Sequence, residues 1–345
     1  MNLQEILKGY KLGTPQTVAN MRVLPILTDT PFTKISGMEN VYLKRDMAYQ
    51  TLLMATKTEV IAVIPQGIMY ITSEQAQDRA IPSAHIIKTQ LKVNADCLQP
   101  SQGGYLASQK KDREYGILPR SLRLVALEVR ADDNYDSIWG AIEKFMKEVG
   151  MTGRELKNFF LKYKEELETF VAQFEPVDKQ VGAVFIVNDV VLGIEVMPNY
   201  DIWQEMWRPI VRDCYGSEAI TFQKKGLFLP SAQFLLKKGE VEDISDLESE
   251  VERVRNEERA MTTQLVTDLV STDFEQEVEE ELEDFTLYTL TSERLTGQGA
   301  THGPERFIYV SLMTPEKKLR AGRARRFDAR WHEGGPYSQD RDFTF

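Results

Sequence analysis

Apolar residues recur at two spacings along this chain: alternating or continuous over short runs in the first third, and every three or four residues through the middle. After a short helix carrying Leu3, Ile6 and Leu7, MRVLPILT (Met21 to Thr28) reads as a strand. MAYQTLLMA (Met47 to Ala55) reads as a short helix leading into two strands, EVIAVI and GIMYIT, around Pro65-Gln66-Gly67. Further strands are expected at AHIIKTQLKV (Ala84 to Val93) and at SLRLVALEV (Ser121 to Val129), where Leu122, Leu124 and Ala126 alternate. Ile138, Trp139, Ile142, Phe145, Met146 and Val149 then take helical spacing behind Asp136 and Ser137, which can cap a first turn. Thr152-Gly-Arg-Glu155 has the form of a capping box for a second helix, with Leu156, Phe159, Phe160, Tyr163 and Leu167 on one face.

VGAVFIVNDVVLGIEV (Val181 to Val196) is the clearest hairpin, because Asn188-Asp189 separates two β-branched runs and both residues tolerate the positive φ of a primed turn. YDIWQEMWRPIVRDCY returns to helical spacing, with Pro209 bending it or opening a fresh first turn. FTLYTLT (Phe285 to Thr291) and RFIYVSLM (Arg306 to Met313) are expected to close the fold, and TGQGATHG (Thr296 to Gly303) reads as a turn before the last strand, not a phosphate loop. The pattern therefore predicts an α+β protein: a mainly antiparallel sheet or sandwich with packed helices.

Charge adds an inserted element. Between Glu240 and Asp284 there are 18 acidic residues against 3 arginines, a net charge of −15, beside −11 for all 345 residues. Ser245-Asp-Leu-Glu248 has capping-box form, and Leu247, Val251, Val254, Glu258, Met261 and Leu265 fall on a narrow heptad seam. The division expected is a core domain over 1–236 and 285–315, an acidic helical insertion over 237–284, and a basic tail over 316–345. An acidic whole-chain balance argues against a nucleic-acid surface as the main activity. Two cysteines, Cys97 and Cys214, without CxxC spacing argue against a disulfide framework and a cysteine zinc site. No apolar run reaches the length of a membrane span, so a cytoplasmic location is expected.

Candidate chemistry is sparse. His85, His302 and His332 are far apart, which gives no metal-ligand spacing; no GxSxG, GxxxxGK[ST] or GxGxxG occurs. The glutamates of EVEEELED read as a solvated helix face or contact surface. One stretch, Glu74 to Leu106, concentrates Gln77, Arg79, Cys97, Gln99 and Gly103-Gly104. Arg79 beside Gln77 offers a fork of donors next to an amide, a pairing suited to a carboxylate, phosphate or base edge. From chemistry alone the simpler reading is that Arg79 pairs with Asp78 or Asp96 and that the glycines form a turn.

The order of motifs resembles a family of bacteria and phages, named for its association with ADP-ribosylglycohydrolases and rhodanese-phosphatase-superfamily proteins. The likeness rests on VLPIL, VYLKRDMAYQTLLMATKTEV, QGIMYITSEQAQDRAI, VNADCLQPSQGGYL, DSIWGAIEKF and KQVGAVFIVNDVVLGIEV, in that order. It implies a site built from Glu59, Gln77, Arg79, Cys97, Gln99 and Gly104, with Glu59 as acid or base, Arg79 at a phosphate, Gln77 at a ribose or base edge, and Cys97 lining the pocket. Ala76 stands where the family has Lys, Gln99 where it has Glu, Gly67-Ile68 where it has Gly-Glu, and Tyr105 where it has Trp. Lost charged groups remove a base or a polarising cation more readily than they remove binding. The function implied is binding, with processing open, of an ADP-ribose-like or other nucleotide-derived small molecule, with no cofactor and no metal. The rival is a non-enzymatic assembly protein that self-associates through residues 245–269 and the basic tail.

Overall fold

The computed structural model describes residues 1–44, 50–57, 60–71, 78–100, 115–132, 135–226, 243–303 and 306–316. Its frame is a nine-stranded antiparallel sheet. From one edge the strands run Lys11–Leu12, Met21–Leu27, Gln180–Val187, Val190–Val196, Phe307–Met313, Thr296–His302, Phe285–Thr291 and Glu275–Leu282, with Gln16–Val18 also paired to Met21–Leu27. The Val181 to Val196 hairpin forms where expected, and Asn188 and Asp189 both take positive φ, 49° and 59°, at its turn. Alternate residues of each strand feed opposite faces. Val23, Phe185, Leu192 and Leu287 join Trp203, Met206 and Tyr215 in one core, while Ile26, Val184, Ile194 and Leu312 join Leu3, Ile6 and Leu269 in the other. A third core packs the helices Arg120–Glu128, Asp136–Glu148 and Leu156–Lys162 through Leu122, Ile142, Phe145 and Phe159. Three smaller antiparallel sheets lie between the first strands and these helices in sequence. The arrangement is α+β.

Several local expectations are corrected. Ser121 to Val129 is helix, Arg120–Glu128, launched by Pro119; Leu122 and Ala126, and likewise Arg123 and Leu127, are buried four residues apart, which fits a helical stripe better than a strand. In the 47–55 segment, Thr51–Thr56 is strand, with Leu52 and Met54 buried at period two. Ala84 to Val93 is two strands in different sheets, His85–Ile87 and Gln90–Asn94. TGQGATH is a full strand, Thr296–His302, whose glycines let neighbours come close: a Cβ on Gly299 would stand 2.9 Å from Leu290 and Phe307 carbons. The helix after Thr152 begins only at Leu156, with no side-chain cap, and Tyr135, not Asp136, is the cap residue of the preceding helix.

Among the described residues of the acidic segment, Ile244–Val270 is helical, capped by the Asp243 and Asp246 box two residues earlier than expected. Its seam is half-buried within the chain at Val251, Val254, Glu258, Met261 and Leu265 and exposed at Leu247, and outside the seam Thr262 accepts from Arg22 at 2.7 Å and Leu269 is buried. EVEEELED is not a helix face. Glu275–Leu282 is the edge strand of the large sheet, and Glu279, Glu280 and Glu283 meet Arg130, His85 and Lys88. Acidic side chains on a sheet edge also oppose pairing with a further strand.

Candidate functional site

Arg79 and Cys97 face each other across the short strands Arg79–Ala80 and Asp96–Cys97, in a four-stranded sheet where Tyr70 is the neighbour of Arg79 on the other side. The polar stretch read from sequence is therefore folded back on itself, with Arg79, Cys97 and Gln99 all buried. Arg79 donates to the Tyr135 hydroxyl at 3.1 Å, the Cys97 thiol donates to the Gln99 carbonyl at 3.0 Å, and Trp139 Nε1 donates to the Cys97 carbonyl at 2.8 Å. The first turn of the Asp136–Glu148 helix thus clasps the strand pair. Glu59, Gln77 and Gly104 lie outside the described residues.

Asp96 is the electrostatic centre of this cluster. Burial lifts its carboxyl to about 7, Arg79 opposes the rise, and Asp132 adds to it. Its Oδ2 and the Gln99 Oε1 are buried with no hydrogen-bond partner among the described residues. Burial likewise raises the Cys97 thiol and the Tyr135 phenol, so Cys97 is a neutral lining group and not a ready nucleophile. The cluster offers a buried cation, a carboxyl poised near neutrality and unfilled acceptors, a combination that can hold a polar ligand and move a proton. Two surface concavities lie elsewhere, one beside Tyr42, Lys57 and Gln90 and one apolar, between Leu7, Ile26 and Leu269.

A second polar centre goes beyond what the sequence reading anticipates. Arg123 donates to Glu195 Oε1 at 2.6 Å, to Ser311 Oγ at 2.6 Å and to Cys214 Sγ at 3.2 Å, and the Tyr215 hydroxyl donates to the same Glu195 oxygen at 2.8 Å. Glu195 and Ser311 are register partners on adjacent strands, and Gln298 is the partner of Ser311 on the next. Cys214 and Tyr215 come from a π-helical stretch, Pro209–Gly216, in which the consecutive residues Asp213, Cys214 and Tyr215 are all buried. π turns are concentrated at functional sites. Burial pushes Cys214 up to about 12. With both members of its ion pair at 0% exposure, this centre organises the core and does not meet ligand in this conformation. The signal that could have found it is a lone Glu in the two-sided apolar run VVLGIEV and a lone Arg in SLRLVALEV.

Fold and cluster together define an α+β protein with a compact buried polar cluster beside a helix start. The chain belongs to the ARG and Rhodanese-Phosphatase-superfamily-associated Protein domain family, whose model matches residues 9–313. By that description the family is associated with the ADP-ribosylglycohydrolase and rhodanese-phosphatase superfamilies. No curated protein and no solved structure matches the chain. No helix among the described residues is long and apolar enough to cross a membrane.

Proposed function

We propose that the protein binds a nucleotide-derived ligand of the ADP-ribose type at the Arg79, Asp96, Cys97, Gln99 and Tyr135 cluster, in the cytoplasm, where free thiols at Cys97 and Cys214 are at home. The observation that carries this reading is the buried Arg79 held in cross-strand register with Cys97 beside a carboxyl lifted to about 7. The family's association with the ADP-ribosylglycohydrolase superfamily supports this choice of ligand class. Arg79 provides positive charge beneath the ligand's phosphates, and Gln99 and Asp96 provide acceptors for its hydroxyl or amine groups. Asp96 takes the acid or base role that the resemblance implies for Glu59, being the group through which a proton would move in any reaction here. The polar stretch around Gln77 and Gly104 borders the same strands in sequence.

Calorimetry on the full chain with ADP-ribose and with NAD tests this. Binding is expected in wild type and is expected to weaken in Arg79→Met and Asp96→Asn, while thermal unfolding checks that both variants fold. Silence from wild type with both ligands sinks the proposal.

A further inference from the structure

The two aromatic rings beside the cluster carry their polar ends inward. Tyr135 and Trp139 stand one helical turn apart, ring centroids 5.7 Å apart and tilted by 44°, and both are half-buried. A Tyr or Trp at a surface ordinarily buries its ring and keeps its O–H or N–H wet. Here the Tyr135 hydroxyl accepts from Arg79 and the Trp139 N–H donates to the Cys97 carbonyl, so the polar ends are anchored, and the half-buried rings also pack against the helical core. Those two anchors sit on residues that face each other across the strand pair, which fixes the rings relative to the cluster. Two residues along the chain from Cys97, Gln99 is 4% exposed and keeps an amide oxygen without a hydrogen-bond partner among the described residues. A half-buried aromatic ring immobilised beside a buried acceptor matches a heteroaromatic base with an exocyclic amine.

We propose that the Trp139 ring, with Tyr135 tilted against it, is the platform on which the ligand's base stacks, so that the site selects a base-bearing nucleotide over a pentose phosphate. This rests on the nucleotide-derived reading above and narrows it. Trp139 is then a specificity-determining residue: a flat ring at position 139 keeps the platform, and an aliphatic side chain removes it.

The test uses the full chain, with ADP-ribose, AMP and ribose 5-phosphate as probes, followed by calorimetry and tryptophan emission. In wild type, ADP-ribose and AMP are expected to bind and quench emission, with ribose 5-phosphate at least about tenfold weaker. Trp139→Leu is expected to lose about tenfold or more in ADP-ribose affinity. Trp139→Phe is expected to keep the affinity within a few-fold while losing the quenching, an outcome that separates stacking from a merely structural role. Equal affinity for ribose 5-phosphate and ADP-ribose, or undiminished ADP-ribose binding by a folded Trp139→Leu, overturns the platform and leaves the proposed function standing. Failure of wild type to bind any of the three probes overturns both.

Discussion

Arg123 and Glu195 meet at 2.6 Å with neither side chain reaching solvent, joining the Arg120–Glu128 helix to the middle of the large sheet. Each is costly to bury alone, and each satisfies the other: the guanidinium also reaches Ser311 and Cys214, and the carboxylate also accepts from Tyr215. Removing one partner leaves an uncompensated buried charge. Arg123→Met or Glu195→Leu should each destabilise by about 3–5 kcal/mol, whereas the double variant should recover a large part of the sum. Urea unfolding of the four proteins measures the coupling, and strictly additive losses would show that the pair does not act as a unit.

Gly193 gives Tyr215 its place at this centre. A Cβ there would overlap the Tyr215 hydroxyl and stand 2.8 Å from the Leu312 carbonyl oxygen, and the ring has little room to retreat because it stacks on Phe185 at 3.9 Å and 5°. Gly193→Ala should lower stability by about 1–3 kcal/mol through overpacking. Combining it with Tyr215→Phe removes the clashing oxygen, so Tyr215→Phe should cost less when added to Gly193→Ala than when made in wild type. Equal costs in both backgrounds would show that the two positions do not touch.

The hairpin turn makes a gentler test. Asn188 has φ 49°, a left-handed value that Asn tolerates and β-branched residues do not. Asn188→Gly should therefore be close to neutral, and Asn188→Val should cost about 1–2 kcal/mol. Thermal unfolding distinguishes them, and equal melting temperatures for the two variants would remove the turn argument.

What is legible in the sequence is what is decided locally. Asn188-Asp189 between two β-branched runs specifies its own turn, and the helix through Ile138, Ile142 and Phe145 specifies its own face. Arg79, Cys97 and Gln99 can be grouped because the strands that bring them together lie within one stretch of chain. Glu195 cannot be placed from sequence, since its partner Arg123 is 72 residues away and sits in a run that alternates well enough to pass for a strand. EVEEELED misleads for a related reason. Its charge density suggests a solvated helix until Arg130, His85 and Lys88, between 149 and 195 residues distant, are brought against it.

Asp96 gives the candidate site a pH signature that needs no ligand. An aspartate ordinarily titrates near 3.8, and burial in the folded protein lifts this one to about 7. Between those values the folded chain holds a proton that the unfolded chain has released, so the contribution to stability is complete below the ordinary value and is lost as pH rises through about 7. Asp213, lifted by burial to about 6, adds a loss of the same sign that is complete at lower pH. Asp96→Asn imitates the protonated carboxyl: it should match wild type at about pH 4 and exceed it in stability at about pH 8, while keeping the slope that Asp213 contributes. Urea unfolding of both proteins across that range reads the difference directly. A gap between variant and wild type that does not change with pH would mean that Asp96 is ionised throughout, and the carboxyl would then be no candidate for moving a proton at neutral pH.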